Sequence, residues 1–524
     1  MEYLKVFAIL LLATLVAGQS DKVMVRPRII IVGGGIAGLS AAAYLEDHGY
    51  TDYVILEASN RIGGRIKTIY LDDQGGAPIE IGAGWIHGTE DNPLYENAEL
   101  YGLLDKEVWR ESLEENNPRF YEGTYEARLE DSVIIPMEEW YPVYNMFDKA
   151  NDKADLFFRE GLPRGYTQNA SVESYIVDRF YKKFNATSDV TKWVIQRSVL
   201  ETLLKQETSD AGCHSMDEVS LQYYGSYKTL EGDDVPIASG FYSVIDMISS
   251  TIPSEKIRLN HAVEKVKYSA EDGKVRVSVK NGRVYEGDRV IITASLGFLK
   301  DKAAAMFDLP LTKTKMAAID RMGFGTVAKI YLEFENLDFI NDGATGTILF
   351  VRKPSRSYNP NDWIKKVFAC YVEPVPLANM LTCWLTGKEA EEMEQRSDEE
   401  VTSSMRNLLQ DFLGTEIPAP VNMIRTRWHS DKYVKGSYSF IKVGSSIADV
   451  ETLAEPVYFT QGNITEAVVL FAGEATHSLF YSTAHGAMLS GIREAKRITG
   501  TSGASETLVN AIVISLCLAF KMLM

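Results

Sequence analysis

The alternation of apolar and polar residues changes period several times along this chain, and each change marks an element. The run "RIIIVGGG" (residues 28–35) is a short buried-strand pattern that ends in glycines, and "IAGLSAAAYLEDHG" after it reads as a helix. A second strand, "DYVILEA", follows, so residues 28–58 predict a β–α–β unit of the length a parallel sheet needs. Between residues 96 and 234 the texture turns aromatic, acidic and helical, as in "DVTKWVIQRSVLETLLKQE". Strands return over residues 256–295: "KIRLNHAVEKVKYS", a turn at "EDG", "KVRVSVK", a turn at "NG", then "DRVIITAS". "KIYLEFE" and "VFACYVE…MLTCWLTG" predict further strands. "SDEEVTSSMRNLLQDFLG" predicts a helix with a Ser N-cap and a Gly past its end. The last block, "VLFAGEATHS…HGAMLSGIREAKRI", reads as strand, loop and closing helix.

Nucleotide-type texture therefore occurs at the start, middle and end, interleaved with two other segments. The expected architecture is α/β and has two discontinuous domains, one from residues 26–95, 235–305 and 430–500, the other from 96–234 and 306–429. A chain of 524 residues, 45% hydrophobic and 24% charged, is ample for two such cores. The formal net charge of −18 disfavours nucleic acid as a partner and favours cationic ligands.

Both ends change the picture. "MEYLKVFAILLLATLVAGQS" has the form of a secretory signal over residues 1–20. Residues 501–524 combine small polar residues with a terminal apolar run, the pattern of a glycosylphosphatidylinositol attachment signal. A transmembrane helix is the alternative. Sequons at Asn169, Asn185 and Asn463 agree with export to the outer face of the plasma membrane, lipid-anchored or secreted. Four cysteines are too few for a disulfide scaffold, and the pairing of Cys213, Cys370 and Cys383 is open. No C-x-x-C or histidine cluster points to a metal.

The chemistry begins at Gly33, Gly35 and Gly38, a G-x-G-x-x-G between strand and helix. The first glycine permits the turn, the second lets backbone approach a pyrophosphate, and the third packs helix on sheet. Glu57 ends the next strand, placed for a ribose hydroxyl. "RIGGR" (residues 61–65) adds a second glycine approach, with Arg65 as a charged fork for phosphate. Nicotinamide-binding folds do not need this extension.

Together with "VLFAGEAT", these motifs resemble the flavin amine oxidase family, and the resemblance runs from about residue 28 to residue 498. It is closest to animal spermine and N1-acetylpolyamine oxidases, with plant polyamine oxidases next. The matching stretches include "IEIGAGWIHG", "CHSMDEVSL", "GTVAKIYLEFE", "GSYSFIKVGSSIADVETLAEP" and "FAGEATHSLFYSTAHGAMLSGIREA". The resemblance implies an FAD-binding Rossmann-like domain of the glutathione-reductase type and an α+β substrate domain of the amine oxidase type. It also implies FAD-dependent oxidation of an amine to an imine, reoxidation by dioxygen to hydrogen peroxide, and hydrolysis of the imine to aldehyde and amine.

Carried over residue by residue, Glu474 is expected at the middle of the cofactor and Val263 at its adenine end. Lys329 falls on the lysine that holds a water against the flavin. His87, with Trp85 beside it, falls on the histidine that animal polyamine oxidases place over the flavin, where it helps select the neutral amine. Glu207 matches an acidic residue for a distal cationic nitrogen, with Glu201 or Asp210 as alternatives in the same loop. Ser482 and Thr483 follow the animal pattern for substrate and flavin contacts. Trp428 and Tyr433 either line the aromatic wall of the site or fill the core. Monoamine oxidases attach FAD through a cysteine where this chain has Ser437, so the FAD is expected to be non-covalent. The position two residues before Lys329 is Val327, where plant enzymes carry tyrosine. The expected partners are a small polyamine and dioxygen. The oligomeric state is left open. The rival functions are an exported L-amino-acid oxidase, which needs an arginine for the substrate carboxylate, and a catalytically inert FAD-binding surface protein.

Overall fold

The computed structural model describes residues 28–500 apart from 72–75, 105–125, 185–188, 270, 341–346, 354–361, 374–376, 378 and 462–463. The expected signal (1–20), the anchor signal (501–524) and the sequons at Asn185 and Asn463 lie outside the described residues. Asn169 is exposed. Among the described residues no helix is long and apolar enough to cross a membrane.

Ile29–Val32 is central in a six-stranded sheet whose order is Val457–Gln461, Ile464–Phe471, Arg289–Ile292, Ile29–Val32, Tyr53–Leu56, Ile257–Arg258. Every pairing is parallel except that of the first two strands. Strands from the start, middle and end of the chain thus share one sheet. Its two faces explain the unbroken apolar run. Ile29, Ile31 and Ile55 pack toward the helices Ile36–Asp47 and Ala484–Thr499, with Leu39, Leu45 and Met488. Ile30, Val32, Val54 and Leu56 pack the other way, onto Val266, Val277 and Leu299. A parallel sheet covered on both faces has no polar side to alternate with.

The second sheet has seven strands, in the order Asn422–Arg425, Val327–Glu333, Met380–Thr386, Ala369–Val372, Thr347–Val351, Glu126–Leu129, Val133–Ile134. It is antiparallel apart from the pairing of Thr347–Val351 with Glu126–Leu129. Here the period is two. Ala328, Ile330 and Leu332 bury against Met405, Leu408 and Phe412 of the helix Asp398–Leu413. Lys329 and Tyr331 therefore point to the other face. That helix begins with a Ser397–Glu400 capping box and ends at Gly414 in the left-handed region, so both terminal signals in the sequence are used. Cys370 and Cys383 face each other across neighbouring strands and form a disulfide, while Cys213 is a buried free thiol. The helices Met137–Glu160, Val172–Lys183 and Val190–Ala211 enclose a third core around Phe147, Phe180 and Leu200.

Candidate active site

A cavity of about 2020 Å³ is lined by residues of both sheets and of the helix Val190–Ala211. One end is built by the glycine turn. Gly33 takes φ +111°, which a side chain would strain, and a Cβ on Gly38 would overlap the carbonyl oxygen of Gly33. Gly35 makes a backbone bridge with Gly63 of the second glycine motif, so the two loops form one cradle. Glu57 is buried beneath it, with Oε2 accepting from Gly34 N at 2.7 Å and Oε1 from Ser59 N at 2.7 Å. Val263 lines the same cavity, next to a slip in its strand register.

Arg65, expected as a charged fork for phosphate, lies beside Glu474. Its Nη1 donates to Glu474 Oε1 at 2.8 Å and to the Ser437 carbonyl at 2.7 Å. A buried carboxylate needs such a partner, and Glu474 is 4% exposed. Its other oxygen accepts from Ser439 Oγ at 2.6 Å and from Ser482 N at 3.0 Å. Ser482, at φ +69°, donates its hydroxyl to the Ser439 carbonyl. Thr483 caps the closing helix, accepting from Gly486 N at 3.1 Å and donating to the Phe480 carbonyl at 2.8 Å. Both residues line the cavity, but their hydroxyls are committed to backbone. Ser437 uses its hydroxyl on both backbone groups of Val327, and no thiol stands at that place.

Lys329 lies in the cavity wall. Its Nζ donates to the carbonyls of Glu80 (3.0 Å) and Gly82 (3.1 Å) and sits 4.9 Å from the centre of the Trp384 ring. Burial pushes the ammonium down from its usual range, and Glu80 and Glu373 oppose that. The same loop is held by Tyr331, which donates to the Glu80 carbonyl at 2.7 Å, and by Trp428, whose Nε1 donates to the Ile81 carbonyl at 3.0 Å. Trp428 and Tyr433 both line the cavity.

Trp85 stands on the two-residue strand Trp85–Ile86, which pairs with Val235–Pro236 and brings His87 beside Asp234. His87 Nδ1 lies 2.8 Å from Asp234 Oδ2, and Gly88 N donates to Asp234 Oδ1 at 3.2 Å. Burial raises the Asp234 carboxyl, but the bonds from His87 and Gly88 outweigh it and hold it below the usual range. Glu207 accepts from the Tyr224 hydroxyl, and burial pushes its carboxyl up. Asp210, one turn along the same helix, is pushed up to about 7 by burial and by Glu207, with His87 and Asp234 also acting on it. Glu201 instead pairs with Arg197 and does not line the cavity.

The structure thus gathers Lys329, His87, Glu207, Ser482, Thr483, Trp85, Trp428 and the glycine cradle on one cavity. Asp234, Glu80, Glu373 and Trp384 also line it. None of these four was singled out from the sequence: Glu80 and Trp384 lie in quoted stretches without a chemical signal of their own, and Asp234 is 147 residues from His87 and in no motif. Among the described residues no group of three or more metal-type side chains forms a metal site.

Residues 36–499 match the family described as flavin containing amine oxidoreductase. The chain is similar to the peroxisomal N(1)-acetyl-spermine/spermidine oxidase of Bos taurus, 34% identical over 495 residues, covering 90% of this chain and 94% of that one. It is 28% identical to polyamine oxidase 1 of Oryza sativa subsp. japonica, covering 90% and 97%. A solved putrescine oxidase, wild type bound to putrescine, shares the fold with a TM-score of 0.65 at 18% identity, covering 91% and 99%.

Proposed function

Because the chain belongs to the flavin containing amine oxidoreductase family it is an FAD-dependent amine oxidase, and we propose that its substrates are polyamines. On this reading spermine or spermidine, free or N1-acetylated, is oxidised by dioxygen to an aldehyde, a shorter amine and hydrogen peroxide. The cradle of Gly33, Gly35, Gly63 and Gly64 lines the cavity where a pyrophosphate would lie, and the cavity has the volume for a dinucleotide and a substrate. Glu57, Arg65, Val263, Trp428 and Glu474 would hold the cofactor. Bound FAD supplies a two-electron acceptor that dioxygen reoxidises.

The observation that carries the reading is one cavity joining the His87–Asp234 pair to the carboxyl groups of Glu207 and Asp210. A cationic nitrogen of a linear polyamine satisfies the buried carboxylates, which repel a carboxylate-bearing substrate. Asp234 accepts the Nδ1 proton of His87, which leaves Nε2 as the lone pair that can take a proton from the reacting ammonium. The nitrogen then enters the reaction neutral. Lys329 is the group that holds a water for imine hydrolysis or flavin reoxidation. Export belongs to the same proposal, supported by the Cys370–Cys383 disulfide and the exposed Asn169.

A substrate panel with product mass analysis tests the assignment. Peroxide with matching aldehyde and amine from a polyamine is the expected result. Peroxide from leucine or phenylalanine, and none from any polyamine, would transfer the chain to the L-amino-acid oxidases.

A further inference from the structure

We propose that Glu373 is a positioning residue for Lys329, the counter-charge that keeps the ammonium facing the cavity. The inference rests on the reading of Lys329 as the lysine beside the flavin. Three neighbouring strands of the seven-stranded sheet present one face to the cavity. Lys329 and Tyr331 lie opposite Trp384 and Thr382, Thr382 lies opposite Tyr371, and Glu373 follows two residues after Tyr371 on that face. The Glu373 amide donates to the Met380 carbonyl at 2.9 Å, which fixes its backbone, and its carboxylate accepts from the Thr382 hydroxyl. The side chain is thereby turned back along the sheet, toward the middle of that face, where Lys329 stands.

The electrostatics agree with this geometry. The groups whose charge acts on Lys329 are Glu80, from the strand Pro78–Glu80, and Glu373. Trp384 meets the ammonium with a ring face, and Tyr331 gives its proton to the Glu80 carbonyl. The Glu80 carboxylate is occupied elsewhere, accepting from Phe241 N at 2.6 Å and Thr68 Oγ1 at 2.8 Å, where it joins the loop to its neighbours. The Glu373 carboxylate accepts from a hydroxyl on the adjacent strand of its own sheet; burial raises its carboxyl, and the Thr382 bond and the Lys329 charge oppose that. An ammonium so placed, with two carbonyls and no nearby carboxylate, would lose its proton more readily.

The test follows the visible absorption of the bound flavin as the holoenzyme is titrated with base, without amine. Wild type is expected to show a spectral inflection that Lys329→Met abolishes. In Glu373→Gln it moves down by about one pH unit, a tenfold loss of proton affinity, and Glu373→Asp restores most of it. An inflection that stays in place in Glu373→Gln, or a wild-type spectrum with no Lys329-dependent inflection, overturns the proposal. A polyamine that fails to bleach the wild type, while the inflection still moves in Glu373→Gln, removes the substrate assignment and supports this one. Should Glu373→Gln not accumulate as folded flavoprotein, Glu373→Asp decides: a downward shift smaller than about one pH unit supports the proposal, and an inflection at the wild-type position overturns it.

Discussion

His87 Nδ1 and Asp234 Oδ2 stand 2.8 Å apart across 147 residues of chain, so the imidazole that faces the cavity is oriented by a carboxylate from a loop with no motif of its own. Asp234→Asn keeps the shape but removes the charge that favours a proton on Nδ1. The expected outcome is a fall in kcat/KM for a polyamine on the order of a hundredfold, with flavin content unchanged, measured by peroxide release at neutral pH.

The pair Glu207 and Asp210 makes a pH prediction. Burial and the Glu207 charge push Asp210 up to about 7, from an ordinary value of 3.8. Between those values the folded state keeps a proton that the unfolded chain has lost, so this group's contribution to stability falls as pH rises toward 7. A cationic substrate favours the ionised form, so KM for the polyamine should rise as pH drops through about 7. In Asp210→Asn that pH dependence should flatten, and the Tm measured at about pH 8 should exceed that of wild type.

The glycine cradle offers a separate test. A Cβ on Gly38 would meet the carbonyl oxygen of Gly33, which directly follows the central strand and whose amide donates to the Leu56 carbonyl at 2.9 Å. Gly38→Val should yield protein with little or no flavin, read as the ratio of visible to ultraviolet absorbance, because helix and strand can no longer close on the pyrophosphate.

How far the sequence could be read follows from these cases. The β–α–β unit, the glycine turn and the capped helix after Ser397 are local patterns, and their physics is contained in a dozen residues. The parallel sheet was legible because its strands are apolar on both faces. Asp234, Glu373 and Trp384 were not legible, since each acquires its place only when distant strands pair. Arg65 and Glu474 were each singled out for a ligand, and their pairing with one another is invisible in either motif. Ser482 and Thr483 show the same limit, because a hydroxyl in a sequence does not reveal the backbone carbonyl it will meet.

Cys370 and Cys383 close a short loop, 13 residues apart, between adjacent strands. Replacing both with alanine should cost about 3 kcal/mol and lower the Tm, without changing the flavin spectrum. Mass analysis of unreduced, alkylated protein checks the pairing, with Cys213 the thiol expected to react only on unfolding.

The most direct test of the central claim, that this cavity brings a polyamine to a flavin, is anaerobic addition of spermine to the purified oxidised protein. The account predicts a yellow protein whose visible band bleaches with spermine and returns when air is admitted. A folded protein that is colourless after gentle purification, or a flavin band that no polyamine bleaches, would contradict it.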